Sequence, residues 1–391
     1  MGRAAATAIR AIMVMGVMAF ALAPLADPVS AATAPPPVFG IFPQNVPGQR
    51  LSTNDRIGLA QSLHVGAIRT TVSNADFSPA TARQYIEIGL NVVLTIVNDP
   101  ELSAGNPSVP VTDLAPYRRQ LQQVFDAFPT GVPVVAIENE PEAPKFFSGT
   151  ADQYLAELQA ATTVAHANGI KVTNGGLTGI PAAFLTWLDL WNSGDHAAAD
   201  AFVQEMNGVG RPGGNQLLAQ LPTSADPTRP IPSSSQIDFA KQTVEAYATM
   251  DIDYVNLHWY QAGTSTAGLE RVIAYLGRVT GKPVMSNEFG QLDDEPSTVT
   301  AELAAVSDAG FPYAIWFSGD KGKGAMALQN ADNTLKPNGL AFREFMDSHH
   351  QATPAAVIRN KSRDWLAWEP AIGRRAALRT ATRAHVTSVA R

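Results

Sequence analysis

Two glutamates in this chain stand in matching settings. Glu140 lies in Asn139-Glu140-Pro141 and Glu288 in Asn287-Glu288-Phe289-Gly290, and each closes a short run of β-branched and apolar residues. Two carboxyl groups facing one another across a sugar can cleave a glycosidic bond. One protonates the departing oxygen, and the other meets the positive charge that develops at the anomeric carbon. With the carboxyls about 5–5.5 Å apart, the second attacks directly, a covalent glycosyl ester forms, and water activated by the first group completes the reaction with retention of configuration. One of the pair would then hold a proton as acid/base and the other would be ionised as nucleophile, which requires different surroundings for the two.

Such a pair needs a scaffold that brings strand ends distant in sequence to one place. Strand-like runs fall at 38–43, 67–73, 91–98, 133–140, 171–177, 254–260, 283–289 and 313–318, each followed by a stretch with helical spacing. Helix starts are marked by Ser78-Pro79 ahead of 80–89 and by Thr150-Ala151-Asp152 ahead of 154–168, where Gly169 is the stop. The alternation is the pattern of an α/β protein, and eight strands suffice to close a (β/α)8 TIM barrel as a single domain. A doubly wound open sheet would show the same alternation, but it calls for a Gly-rich phosphate loop after its first strand, where this chain reads Phe39-Gly40-Ile41-Phe42-Pro43. In the barrel reading, Glu140 and Glu288 end the fourth and seventh strands, at the end where barrels keep their chemistry. The chain between the fifth and sixth strands is a long insertion. Its Gly-, Pro- and Ser-rich centre, 208–235, is expected to be a substrate-facing loop. Trp187 and Trp191, four apart within it, are expected to pack a helix rather than to carry a sugar.

With these residues in place, the chain resembles clan A glycoside hydrolases and, in its supporting residues, glycoside hydrolase family 5, over about 37–345. The resemblance implies a retaining hydrolase of β-linked sugars, with Asn139 contacting a 2-hydroxyl, Glu140 as acid/base and Glu288 as nucleophile. It also implies that Arg69, in Ala67-Ile68-Arg69-Thr70, lies beside the nucleophile, where a buried cation favours an ionised carboxylate. On the sixth strand, Asn256-Leu257-His258-Trp259-Tyr260 carries the family's His-any-Tyr pattern. His258 is implied to contact sugar hydroxyls and Tyr260 to orient Glu288, and period-two alternation puts both on one face. Trp316, in Ala314-Ile315-Trp316-Phe317, is implied to floor the sugar site. The chain departs from the family after the third strand, where a histidine is usual and this sequence has Val97-Asn98-Asp99-Pro100. Asn98 is the candidate for a similar hydroxyl contact, and the change leaves the sugar identity open.

The remaining composition bounds the setting. Arg3 and Arg10 precede an apolar run, from Ala11 to about Ala26, that is broken by Pro24 and followed by Val29-Ser30-Ala31. Residues 1–34 are therefore expected to be a signal peptide and the start of a linker, 35–350 the barrel, and 351–391 a basic, disordered tail. The apolar run is shorter than the roughly 20 residues that span a bilayer, so a secreted or envelope-associated protein without integral membrane association is expected. The chain has no cysteine and a net charge of −7. Eight Arg or Lys against two acids in 351–391 leave the body strongly acidic, which excludes nucleic acid as the main partner. A neutral polysaccharide or oligosaccharide fits, bound by a monomer. No cofactor is implied. The first strand lacks His-any-His and the seven histidines do not cluster at ligand spacing, so no metal is expected. Lys282 precedes its strand, away from a Schiff-base position. The alternatives are a β-galactofuranosidase acting on a cell-envelope galactan by the same mechanism, and a non-catalytic glycan-binding barrel. The second of these should have lost one glutamate.

Overall fold

β-Branched residues are stiff at χ1 and pack well on a sheet covered on both faces, so runs such as NVVLTIV at 91–97 pair as buried parallel strands. The computed structural model describes residues 36–349 except 46–47, 49, 75–76, 99–105, 211–214 and 320–324. The expected leader, the basic tail and the Asp99-Pro100 step lie outside the described residues.

The first half alternates β1 (Val38–Pro43), α1 (Thr53–Ser62), β2 (Ala67–Ser73), α2 (Ala80–Glu87), β3 (Asn91–Val97), α3 (Leu114–Asp126), β4 (Val134–Ile137), α4 (Ala151–Ala167) and β5 (Lys171–Asn174). The second half begins with β6 (Leu177–Thr178), α5 (Gly179–Asn192), α6 (His196–Glu205), α7 (Asn215–Leu218), α8 (Ser235–Tyr247) and β7 (Val255–Gln261). It ends with α9 (Ala267–Thr280), β8 (Val284–Gln291), α10 (Pro296–Asp308), β9 (Tyr313–Ser318) and α11 (Pro337–His349). Thr150 caps α4 in a reciprocal capping box with Gln153, at the start the sequence marks.

The strands run in the order β5-β4-β3-β2-β1-β9-β8-β7-β6, all pairs parallel. β5 and β6 are the two halves of the predicted fifth strand, parted at Gly175-Gly176. A bridge from Thr173 to Tyr254 and the β6–β7 ladder close the sheet on itself, giving the (β/α)8 barrel. Side-chain amides bind the parted seam. The Asn256 N–H donates to Asn174 Oδ1 at 2.6 Å, and each amide nitrogen donates to the other residue's carbonyl at 3.1 and 3.2 Å. Inside the barrel, Ala67, Val93, Val134, Tyr254, Met285 and Ile315 form one buried cluster with a residue from or beside six of the strands. The larger apolar layer lies between the strands' outer faces and the helices. Among the described residues no helix is long and apolar enough to cross a membrane.

Candidate active site

The fourth strand is shorter than its composition predicts, and the shortening serves the site. After Ile137 the chain enters left-handed backbone at Glu138 (φ 65°) and again at Glu140 (φ 45°). For residues with a side chain this costs on the order of 1 kcal/mol or more per residue. Several bonds hold the turn. The Asn98 N–H donates to Glu138 Oε1 at 2.9 Å, the Glu140 N–H donates to the Gly175 carbonyl at 3.0 Å, and the Thr178 N–H and hydroxyl both donate to Glu142 Oε1 at 2.7 and 2.8 Å. The turn sends both Asn139 and Glu140 toward the barrel mouth.

β8 solves a similar problem with a bulge. Its pairing with β7 runs Asn256↔Met285 and then Trp259↔Phe289, and its pairing with β9 runs Ser286↔Ala314 and then Phe289↔Trp316. On both sides β8 carries one residue more than its neighbour between the paired positions. A regular strand would point Asn287 and Glu288 to opposite faces, whereas an extra residue lets both face inward. The Glu288 N–H donates to the Ser286 hydroxyl at 3.2 Å, and that hydroxyl donates to the Leu257 carbonyl at 2.6 Å. Ser286 thereby joins the bulge to β7.

The side chains so delivered form one buried network. Arg69 Nη1 donates to Glu288 Oε2 at 2.7 Å, and Nη2 donates to Asn139 Oδ1 at 2.6 Å. Arg69 Nε donates to Thr95 Oγ1 at 3.0 Å, which fixes the guanidinium plane. The Tyr260 hydroxyl donates to Glu288 Oε1 at 2.6 Å. Burial, then the negative charge of Glu288, pushes the Tyr260 phenol well above its usual value, so it remains a donor. Both oxygens of Glu288 therefore receive hydrogen bonds, one of them from a buried cation, which is the setting of a carboxylate kept ionised.

Glu140 meets a different partner. His258 Nδ1 stands 3.0 Å from Glu140 Oε1, and Nε2 stands 2.7 Å from Asn287 Oδ1. That oxygen also accepts from Asn256 Nδ2 at 2.7 Å, so the proton of a neutral His258 belongs on Nε2. The Nδ1 lone pair is then turned to Glu140 Oε1. Gly176 makes room for this ring: its φ is +98°, and a Cβ there would come within 2.1 Å of His258 Nε2. One oxygen each from Glu140 and Glu288, together with a ring nitrogen of His258, lie within 4.8 Å of one another.

Three such donors could hold a metal ion, and these are the one such group among the described residues. Their partners do not fit one. The Arg69 guanidinium, 2.7 Å from Glu288 Oε2, sits where a second cation would be repelled, and His258 Nε2 is directed at Asn287 Oδ1.

The structure gathers Arg69, Asn139, Glu140, His258, Tyr260 and Glu288. Two residues expected with them are placed elsewhere. Trp316 points outward from β9. It is 0% exposed and packs edge-on against Phe289 and against Phe342 of α11. The reason is alternation: Ile315 lies in the barrel's inner cluster, so Trp316 takes the opposite face and Phe317 faces in beside Tyr260. Asn98 is drawn into a separate polar cluster, accepting from Asn74 Nδ2 at 2.9 Å and donating to Glu157 Oε2 at 2.8 Å. In the insertion, Trp187 is buried and stacked on Trp191, which in turn stacks on His196, so the pair packs helices. The start of the 208–235 segment pairs with the end of β7 through Val209 and Gln261, at the mouth of the barrel. Sequence reasoning passed over Asn287, Asn256 and Thr95. The Asn-Glu doublet on both strands, and the period-two spacing of Asn256 with His258 and Tyr260, were the available signals.

No family model matches the chain, and no curated protein matches it. Solved structures similar to it include a GH128 subgroup II endo-β-1,3-glucanase from Sorangium cellulosum, 14% identical, covering 78% of this chain and 97% of that one, with a TM-score of 0.49. A GH128 subgroup II endo-β-1,3-glucanase from Pseudomonas viridiflava is 15% identical over 78% and 96%, with a TM-score of 0.45. A GH128 subgroup VII oligosaccharide-binding protein from Trichoderma gamsii is 13% identical over 80% and 95%, with a TM-score of 0.44.

Proposed function

We propose that this chain is a retaining glycoside hydrolase acting on β-linked bonds of a polysaccharide or oligosaccharide, with Glu288 as nucleophile and Glu140 as acid/base. The observation that carries this reading is the approach of the two carboxylates, an oxygen of each within 4.8 Å of the other. An inverting enzyme needs roughly 6.5–9.5 Å between its carboxyls to seat a water, and direct attack needs about 5–5.5 Å. The resemblance to family 5 supports the roles of Arg69, Asn139 and Tyr260, whereas the packing of Trp316 against Phe289 and Phe342 and the bonds of Asn98 to Asn74 and Glu157 give those two no part in this reading.

In the first step a Glu288 oxygen bonds to the anomeric carbon, the bond to the leaving oxygen breaks, and that oxygen takes the Glu140 proton. Each carboxylate oxygen has a second lone pair, so the bonds from Arg69 and Tyr260 hold Glu288 in place without blocking attack. In the second step the Glu140 carboxylate takes a proton from water, the hydroxide oxygen bonds to the anomeric carbon, and Glu288 leaves as a carboxylate. Asn139, held by Arg69, is placed to meet a sugar hydroxyl beside the nucleophile.

The test is incubation of wild type, Glu140→Gln and Glu288→Gln with activated aryl β-glycosides of glucose, mannose and galactofuranose, following aryl release and intact mass. The expected result is release by wild type, a trapped one-sugar adduct on Glu140→Gln and none on Glu288→Gln. If wild type releases nothing from any of them and no adduct forms, the glycan-binding reading replaces this one.

A further inference from the structure

With Trp316 turned outward, the site still needs an apolar surface for a sugar's C–H face, and the inner residues of β1 and β9 supply one. Phe42 packs on the barrel's inner cluster yet remains partly exposed. A side chain pointing into a closed barrel reaches solvent only through one of its two mouths. Phe42 lies at the carboxyl end of β1, paired with Phe317 at the carboxyl end of β9, so its exposed part opens to the mouth that holds the two glutamates. The Arg69 guanidinium carbon lies 4.3 Å from its ring centroid, and Phe317 packs edge-on against it at 5.7 Å. Phe317 packs edge-on in turn against Tyr260 at 6.0 Å. Phe42, Phe317 and Tyr260 thus form an aromatic wall that ends at the hydroxyl donating to Glu288.

We infer that Phe42 is the aromatic stacking surface for a pyranose or furanose ring of the bound oligosaccharide, in the role that the family resemblance implies for Trp316. The inference rests on the proposed hydrolase reading and adds the residue that recognises the sugar's apolar face. One face of the ring is occupied by Arg69, a cation whose remaining bonds hold Glu288 and Asn139. The ring therefore joins the stacked sugar to the group that positions the nucleophile. Stacking of this kind requires a flat π-face, which an aliphatic side chain of equal volume does not offer.

The experiment is isothermal titration of laminarihexaose, cellohexaose and mannohexaose into the full chain carrying Glu140→Gln, alone and combined with Phe42→Trp or Phe42→Leu, with melting temperatures recorded for each. Cleavage of the same three sugars by wild type is followed alongside. The expected result is that the sugar bound by Glu140→Gln binds about ten-fold more weakly with Phe42→Leu and within about three-fold with Phe42→Trp, while the Leu variant melts normally. Equal affinity with Phe42→Leu and with Phe42 intact would overturn the stacking role and leave the hydrolase reading standing. Absence of both binding and cleavage for all three sugars would overturn both. Should Phe42→Leu unfold, a loss of affinity with Phe42→Met, relative to Phe42→Tyr, decides the point in its place.

Discussion

The β2–β3 ladder and the β7–β8 ladder are built from the same kind of parallel pair, yet they differ in one respect. β2 and β3 pair without interruption over seven residues, from Ala67↔Asn91 to Ser73↔Val97. β7 and β8 lose register between Asn256 and Trp259, and β8 loses it again against β9. The regular ladder puts Ala67 and Val93 into the barrel's inner cluster and supplies Arg69 by simple alternation. The irregular one brings two consecutive residues, Asn287 and Glu288, to one face. Chemistry that needs a nucleophile and its supporting amide on the same side of a strand cannot be had from a regular pleat. The bulge supplies it, and Ser286, Asn256 and Arg69 hold the bulge in place.

If the apolar inner positions of the regular ladder supply rigidity, and the polar network that Arg69 and the bulged strand share supplies chemistry, substitutions in the two should separate stability from rate. The largest expected effect is that of Arg69→Met, which removes the cation from Glu288 and the tether from Asn139. Steady-state rates should show kcat about 100- to 1000-fold lower, comparable to the loss of one preorganised charge-stabilising donor. A loss under three-fold would mean that Tyr260 alone holds the nucleophile.

Asn287→Ala tests the bulge itself. It removes the acceptor that sets the His258 tautomer and a ligand of Asn256 and Arg69, so kcat should fall about 10- to 100-fold. Its counterpart in the regular ladder is Val93→Ala, a buried inner-cluster residue that touches no network member by hydrogen bond. That variant should lose about 2 kcal/mol of stability and melt a few degrees lower, with kcat within two-fold. Equal effects of the two on kcat would erase the distinction between the apolar positions and the network.

The smallest effect concerns Glu142, two residues beyond Glu140. Burial, with the charge of Glu140 adding to it, pushes its carboxyl up to about 7, against the bonds from Thr178 that pull it down. Between about 4.5 and about 7 the folded chain keeps a proton that the unfolded chain has lost. The contribution of this group to stability therefore falls as pH rises through that window. Glu142→Gln keeps an oxygen for the Thr178 donors and removes the titration. Denaturant melts of the two proteins should coincide most closely below pH 4.5, and the variant should gain on wild type by at most about 3 kcal/mol toward pH 7.5. A gap independent of pH would show that Glu142 titrates at its ordinary value.

The strands were legible because β-branched runs separated by capped helices admit few other readings, and Gly169 and Thr150 mark their ends by simple chemistry. Glu140 and Glu288 were legible because each follows an apolar run within an Asn-Glu doublet, although Glu140 lies three residues beyond β4 and Glu288 lies inside β8. What escaped was register. Whether Trp316 or Phe317 faces inward depends on one residue of phase, and nothing local fixes that phase until Ile315 is known to be interior. The bulge at Asn287 leaves no mark in Val284–Gln291 beyond its unusual run of polar residues. Asn98 misled because a polar residue after a strand looks available, whereas Glu157, buried on α4, claims it. Buried carboxylates such as Glu157 and Glu302 are read from sequence as surface charges, and only packing reveals that burial holds them above their ordinary range.

The central claim is that Glu140 and Glu288 act as a close pair through a covalent ester. It is tested most directly by proton NMR of the anomeric region during the first minutes of hydrolysis of a β-linked oligosaccharide that wild type cleaves. The account predicts that the new reducing end appears first as the β-anomer and then mutarotates. First appearance of the α-anomer would mean direct displacement by water and would contradict the assignment of Glu288 as nucleophile.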